Sequence, residues 1–273
     1  MNDNREKIMQ IKNDGVYFVT NKEILKIAME QSAIDSNCRA DDFSSYENKV
    51  VLSKDDPKAR KYLKLPFLCD FTSYGNNIVA SVSEQFRDVA AEYISKFPAV
   101  HCFETPNLHW LMEQLNPLGA NVCYMAEYFL PDADHFPTLR CGYETRILTQ
   151  GDFEPLYLPQ WGNALCATRK QLDVLGVGAY HNGTLIGLAG CSADCRSMWQ
   201  IGIDVLPAYR KQGVASALVN RLAHEVLKQD IVPFYCCAWS NVGSARTAIK
   251  SGFLPSWVQM TVQPDRLIAS MNN

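Results

Sequence analysis

The segment Arg210-Lys-Gln-Gly-Val-Ala215 combines residue types and spacing that point to chemistry. It follows a run of β-formers, Met198–Val205, and opens an apolar-periodic run from Gly213 to about Gln229. At a strand-to-helix junction of this kind, several backbone N–H groups turn toward one point. The first helical turn adds unsatisfied donors and a partial positive charge. Gly213 lets a ligand approach the backbone closely, and Ala215 keeps the first turn narrow. With the charges of Arg210 and Lys211, the sum is a cradle for a pyrophosphate. The alternative is a plain basic turn ahead of a core helix, since six residues specify little by themselves.

Groups able to handle protons lie close to this segment in sequence. Asp204 shares a strand face with Gln200 by alternation and is a candidate base, directly or through water. Its other reading is a surface or loop-capping carboxylate. Tyr235, Cys236 and Cys237 sit on the apolar run Val232–Trp239. Any one of the three, if it faces a cleft, is a candidate proton donor; core packing is the alternative for most of them. Trp199 and Trp239 are candidate walls of a pocket, although buried tryptophans usually just pack. A cysteine nucleophile is not favoured, because no His partner stands in the local pattern. Glu104, His101, His109 and Glu127 in the first half read as structural.

These groups need elements to hold them. Tyr143–Leu148 reads as a strand, and an irregular helical region follows to about Leu165. Val174–Tyr180 and Thr184–Gly190 flank His181-Asn-Gly183, a hairpin with an Asn-Gly turn. Met198–Val205 completes the meander, and Pro207 stops it. In the helix from Gly213, Leu218, Leu222 and Val226 recur every four residues. Val232–Trp239 reads as a buried strand, Asn241–Ser251 as a helix capped by Asn241 and stopped by Gly252, and Ser256–Val262 as a final strand. Upstream, Lys22–Gln31 suits a short amphipathic helix, and charged Lys54–Lys64 a solvated face. Asn77–Val82 predicts a strand, Glu84–Phe97 a helix, and Ala99–Phe103 a strand. A helix then starts at Thr105-Pro106 and ends at Gly119, and Asn121–Leu130 is the next strand. Pro131, Pro137 and Gly142 mark a boundary. The expectation is a mixed α/β sheet in two domains, residues 1–138 and 139–273.

The hexad follows a motif: Arg or Gln, two residues of any type, Gly, any residue, then Gly or Ala. Asn241, Ser244 and Gly252-Phe253 follow it in order and spacing. This order over residues 143–263 resembles the GNAT superfamily of N-acetyltransferases. The resemblance implies a C-terminal GNAT acyltransferase fold with an N-terminal α/β accessory domain. It also resembles, more loosely, a two-domain subgroup that includes antibiotic self-resistance acetyltransferases. It implies that Ile203 and Val205 hold a pantetheine arm through their backbone. Residues Arg210, Lys211, Gln212, Gly213, Val214, Ala215 and Ser216 would hold a pyrophosphate, and Asn241 and Ser244 would lie near the thioester. The implied activity is direct transfer of acetyl from acetyl-CoA to the amine of a small molecule or peptide. A free amine of pKa ~10.4 costs about 4–5 kcal/mol to deprotonate at pH 7, against about 2 kcal/mol for help to a thiol leaving group. The base therefore matters more than the acid. One group of the family carries a glutamate base where Gln200 stands, and many members a tyrosine where Ala248 stands. Those departures keep open an alternative, a non-catalytic acyl-CoA-binding or regulatory module. A P-loop is absent, and Gly176-x-Gly178 lacks the third glycine of a dinucleotide fingerprint.

Composition agrees with an ordinary globular chain. The 273 residues are 47% hydrophobic and 20% charged, with a net charge of −3. Nothing in that balance favours nucleic acid or a membrane surface as partner. The first fourteen residues are charged and hold no apolar signal core, and no stretch nears the ~20 apolar residues of a membrane span. Ten cysteines without a CxxC pair predict reduced thiols used in packing, no metal site, and a cytoplasmic protein. Oligomeric state stays open, a homodimer included. The N-terminal domain is expected to wall the acceptor site, since pockets favour domain interfaces.

Overall fold

The computed structural model describes residues 20–272. The charged opening residues 1–14 lie outside the described residues. In chain order the helices are α1 (Asn21–Ser36), α2 (Arg87–Lys96), α3 (Thr105–Leu115), α4 (Val214–Leu227), α5 (Val242–Lys250) and α6 (Asp265–Met271). The strands are β1 (Lys49–Leu52), β2 (Cys69–Ser73), β3 (Val79–Val82), β4 (Ala120–Pro131), β5 (Glu144–Thr149), β6 (Asp173–His181), β7 (Thr184–Ser192), β8 (Met198–Val205), β9 (Val232–Ala238) and β10 (Phe253–Pro264).

All ten strands form one mixed sheet in the order β1-β3-β2-β10-β4-β9-β8-β7-β6-β5. The boundary segment between Pro131 and Gly142 is where the chain turns from β4 to β5, and the sheet continues across it. β10 lies between β2 and β4, antiparallel to both, so a strand from the C-terminal part sits inside the N-terminal half of the sheet.

Local rules account for the meander. Asn182 and Gly183 take φ +49° and +79°, the left-handed pair that a two-residue hairpin turn requires. β8 runs over exactly the predicted residues. Helix α4 buries Leu218, Leu222 and Val226 against β6, β7 and β8. Cys236 and Cys237 point to opposite faces: Cys236 packs with Met198, Phe234 and Trp257, and Cys237 with Ile201, Tyr235 and Ala248. All ten cysteines are free thiols.

Four expectations change in the first half. The predicted strand Ala99–Phe103 is a 3-10 turn, Ala99–His101, squeezed between α2 and α3. There Tyr93 donates its hydroxyl to the Cys102 carbonyl, which takes the segment out of the sheet. Strands β1 and β2 were not read from the sequence at all. Helix α1 runs five residues beyond Gln31, held at its start by a reciprocal cap between Thr20 and Glu23. The charged stretch 54–64 is not wholly solvated either. Arg60 is 2% exposed, paired at 3.3 Å with buried Asp35, and its guanidinium stacks 5.2 Å from both Phe234 and Trp257.

The sheet has a front and a back. The back carries α4 against Ile201 and Val205, and α2 and α3 against Phe71 and Met260. The front carries α1, which packs with Met198, Phe234 and Trp257. The front also carries the loop around Trp161–Leu165, packed on Leu188. Gly202 makes that loop's approach possible, because a Cβ there would meet the Asn163 carbonyl oxygen at 1.8 Å.

Candidate functional site

β8 and β9 are the parallel neighbours in the C-terminal half, and their pairing ends at Ile201–Tyr235. Beyond that point no rung joins them. A cleft of about 1420 Å³ occupies the gap and is lined by residues from both faces of the sheet. Its back side is lined by Ile201, Ile203, Val205, the 209–216 loop, Tyr235, Cys237 and one face of α5. Its front side is lined by Gln200, Gly202, Asp204, Cys236, Asn163 and Arg169, and by Tyr62, Lys64, Phe67, Tyr124 and Tyr128 from the first half.

The hexad forms the turn that the sequence predicts. Lys211 and Gly213 both have left-handed backbones, φ +61° and +81°. A Cβ at Gly213 would meet nothing within 4 Å, so the glycine serves the backbone angle and the open approach rather than packing. The first helical bond of the turn is Ala217 N–H to Gly213 C=O at 3.1 Å. The amides of Val214, Ala215 and Ser216 therefore head α4 without intrahelical acceptors and face the cleft's back side. Arg210 does not point at a ligand in this arrangement: its Nε donates to the Val205 carbonyl at 2.9 Å and ties the loop to the strand end. The Gln212 side chain accepts from Tyr143 at 2.7 Å, and the Val214 side chain is buried in the core. The cradle is thus backbone, with Lys211, Arg246 and Lys250 as the cations at its rim.

Asn241 caps α5, its Oδ1 accepting from the Ser244 amide at 3.1 Å, and both residues line the cleft. Tyr235 is 3% exposed, and its hydroxyl lies 2.7 Å from Ser244 Oγ. Burial pushes the Tyr235 phenol up to about 12. Cys237 lines the same side, its thiol also pushed up by burial. On the front face Gln200 donates to the Cys236 sulfur at 3.1 Å, and burial raises that thiol to about 12. None of these groups is ionised near neutral pH.

Asp204 lies at the cleft, but its two oxygens are engaged. They accept from the Asn163 amide at 2.8 Å, the Asn163 side chain at 2.6 Å and the Ala164 amide at 3.0 Å. This is the loop-capping arrangement that the sequence offered beside the catalytic one. Trp199 and Trp239 are not walls of this cleft. Trp199 packs against the core, and Trp239 is 43% exposed beside Phe103, over a separate shallow hollow. His101, Glu104 and His109 form surface pairs away from the cleft, and Glu127 lines that second hollow. Tyr62, Lys64, Tyr128 and Arg169 were not singled out from the sequence. Each reaches the cleft through contacts between distant segments, and none carries a local motif.

Among the described residues, no group of three or more His, Cys, Asp or Glu is placed to hold a metal ion. No helix among them is long and apolar enough to cross a membrane.

Residues 142–253 match the family described as Acetyltransferase (GNAT) family. No curated protein matches significantly. Similar solved structures include a GCN5-related N-acetyltransferase from Sphaerobacter thermophilus, 13% identical, covering 71% of this chain and 76% of that one, with a TM-score of 0.47. Another is a GCN5-related N-acetyltransferase-like protein from Streptococcus suis 89/1591, 19% identical, covering 57% of this chain and 66% of that one, with a TM-score of 0.43. The segment matched by the family contains β5 to β9, the hexad and Asn241, so it is over these elements that the chain is similar to the GNAT acetyltransferases.

Proposed function

We propose that the cleft transfers an acetyl group directly from acetyl-CoA to an amine. The observation that carries this is the gap between β8 and β9 beyond Ile201–Tyr235, with unpaired helix-start amides behind it and a lined pocket in front. The cofactor lies on the back side in this reading. The amides at 214–216 and the cations Lys211, Arg246 and Lys250 hold its phosphates. Exposed backbone at Ile203 and Val205 takes the pantetheine arm, and a strand amide near Ile203 steadies the carbonyl oxygen as charge develops on it. The amine reaches the thioester carbon from the front. Nitrogen attacks the carbonyl carbon, the C–S bond breaks, and the amine's proton leaves to water.

The local groups fix what help the departing sulfur receives. Full proton transfer from Tyr235 to a thiolate of pKa ~8.5 would cost roughly 5 kcal/mol. Tyr235 therefore donates a hydrogen bond, with Ser244 Oγ as its partner, rather than a proton. Cys237 stands beside the same path as a neutral thiol. With Asp204 held by its loop and Gln200 unable to take a proton, the amine loses its proton to water, or arrives neutral. The first half, through Tyr62–Phe67 and β4, walls the acceptor side.

Thiol release from acetyl-CoA over an amine panel tests this reading. Saturable release with at least one amine is expected. CoA binding without release from any amine would instead favour a non-catalytic acyl-CoA-binding module, the reading that the engaged Asp204 supports.

A further inference from the structure

Charge is unevenly placed around the cleft. The chain as a whole carries −3. Among the described residues, the ionic groups lining the cleft are Lys64, Arg169, Arg210, Lys211, Arg246 and Lys250 against the single carboxylate of Asp204. Four of the cations belong to the back side: Arg210 is tied to the Val205 carbonyl, and the cofactor's phosphates account for Lys211, Arg246 and Lys250 in the reading above. Lys64 and Arg169 are on the front, and the one carboxylate there is already held by three donors.

Arg169 is more than a surface charge. Its Nε edge meets Asp194 at 3.5 Å, and the Asp194 side chain is 0% exposed. Asp194 stands behind the guanidinium as its ion-pair partner. The Asp194 carbonyl accepts from the Lys61 amide at 3.0 Å, just ahead of Tyr62–Lys64, which line the same cleft as Arg169. The Arg169 side chain remains 30% exposed, and its two terminal nitrogens make no hydrogen bond among the described residues. A guanidinium paired with a buried carboxylate through Nε, in a cleft that also carries Lys64 and whose one lining carboxylate among the described residues is already engaged, is a receptor for a planar acid group.

Resting on the transfer reading above, we infer that the acceptor is an amine that also carries an acid group, a carboxylate or phosphate, held by Arg169 and Lys64. A polycationic acceptor would meet two like charges and no free carboxylate on the front of the cleft. The pair has a second use. Cations beside the bound acceptor disfavour its ammonium form, which eases loss of the proton in a site with no free base.

The test compares acid-bearing amines with neutral counterparts: L-phenylalanine against L-phenylalaninamide, and O-phosphoethanolamine against ethanolamine. Thiol release is expressed per unprotonated amine, and the cationic polyamine spermidine is run in the same assay. At least one acid-bearing member is expected to exceed its partner by about tenfold or more, as fits a charge-assisted pair. The two pairs separate the carboxylate from the phosphate. Arg169→Lys keeps a cation against Asp194 but loses the fork, and should cut that preference about fivefold or more while leaving CoA affinity unchanged. Arg169→Gln combined with Lys64→Gln should abolish it. Neutral members used equally well, or a preference that survives in the double variant, overturns the inference. Turnover of spermidine alone overturns it and leaves the transfer reading standing. No release with any amine, with CoA bound, overturns both.

Discussion

At Gly213 the backbone sits at φ +81° with open space around it, so the residue contributes an angle and an absence. Valine there would be strained by roughly 1–2 kcal/mol and would place a branched side chain where the proposed cofactor's pyrophosphate would lie. Gly213→Val is expected to weaken CoA binding beyond detection by calorimetry, while the far-ultraviolet circular dichroism stays that of the parent. At Tyr235 the prediction is kinetic. Tyr235→Phe keeps the ring in its buried place and removes the hydroxyl that faces Ser244. Turnover should fall about ten- to a hundredfold, the range of a lost hydrogen bond to a charged group, with CoA affinity little changed. Gly213 and Asn241 were legible in the sequence because their signals are local: a glycine at a strand–helix turn and an asparagine at a helix start. Asp204 was legible as a position and ambiguous as a role. Its alternation put it at the cleft, but only the tertiary placement of Asn163 and Ala164 decides what its oxygens do.

The seam between β2 and β10 carries a buried carboxyl. Asp70 is 1% exposed and accepts from Gln259, Thr261 and Thr72. Burial outweighs those bonds and raises it to about 6, from an ordinary 3.8. A carboxyl raised on folding binds its proton more tightly in the native state. Its contribution is therefore fully present at low pH and is lost as pH rises from about 4 to about 6. Asp70→Asn should remove that slope. In urea unfolding, the difference in stability between parent and variant should change by about 2 kcal/mol between pH 4 and pH 7, in the variant's favour at the higher pH. A constant difference across that range would refute the assignment. The meander, α4 and α5 were readable from periodicity and turn residues, since β6 to β8 are neighbours in sequence as well as in space. β1 and β2 were not. They are four and five residues long, and their partners are β3 and β10 rather than each other.

Across the molecule the two halves share one sheet and one ionic anchor. Arg60, from the loop that lines the front of the cleft, is buried between Asp35 on α1 and the rings of Phe234 on β9 and Trp257 on β10. Removing one member of a buried ion pair leaves the other uncompensated, at about 3–5 kcal/mol. Arg60→Met should lose that much stability, and Arg60→Met combined with Asp35→Leu should regain most of it. The shared sheet makes a second prediction. Residues 139–273 alone would expose β9 and β10 where β4 belongs, so that fragment should be largely unfolded by circular dichroism. In the full chain, far-ultraviolet circular dichroism and tryptophan fluorescence should report one coincident urea transition. The sequence suggested a boundary at Pro131–Gly142 because the composition changes there. Nothing local in 253–264 announces that this strand pairs with residues 120–131 and 69–73.

That placement of β10 bears on how the chain is made. On a ribosome, β2 and β4 emerge well over a hundred residues before the strand that fills the space between them. Throughout that interval the facing edges of β2 and β4 lack the partner that will join them, and an edge of unpaired amides and carbonyls recruits other strands. The nascent protein thus has a built-in waiting period. It makes the yield of soluble protein more sensitive to holding chaperones and to translation speed than the stability of the finished fold would suggest.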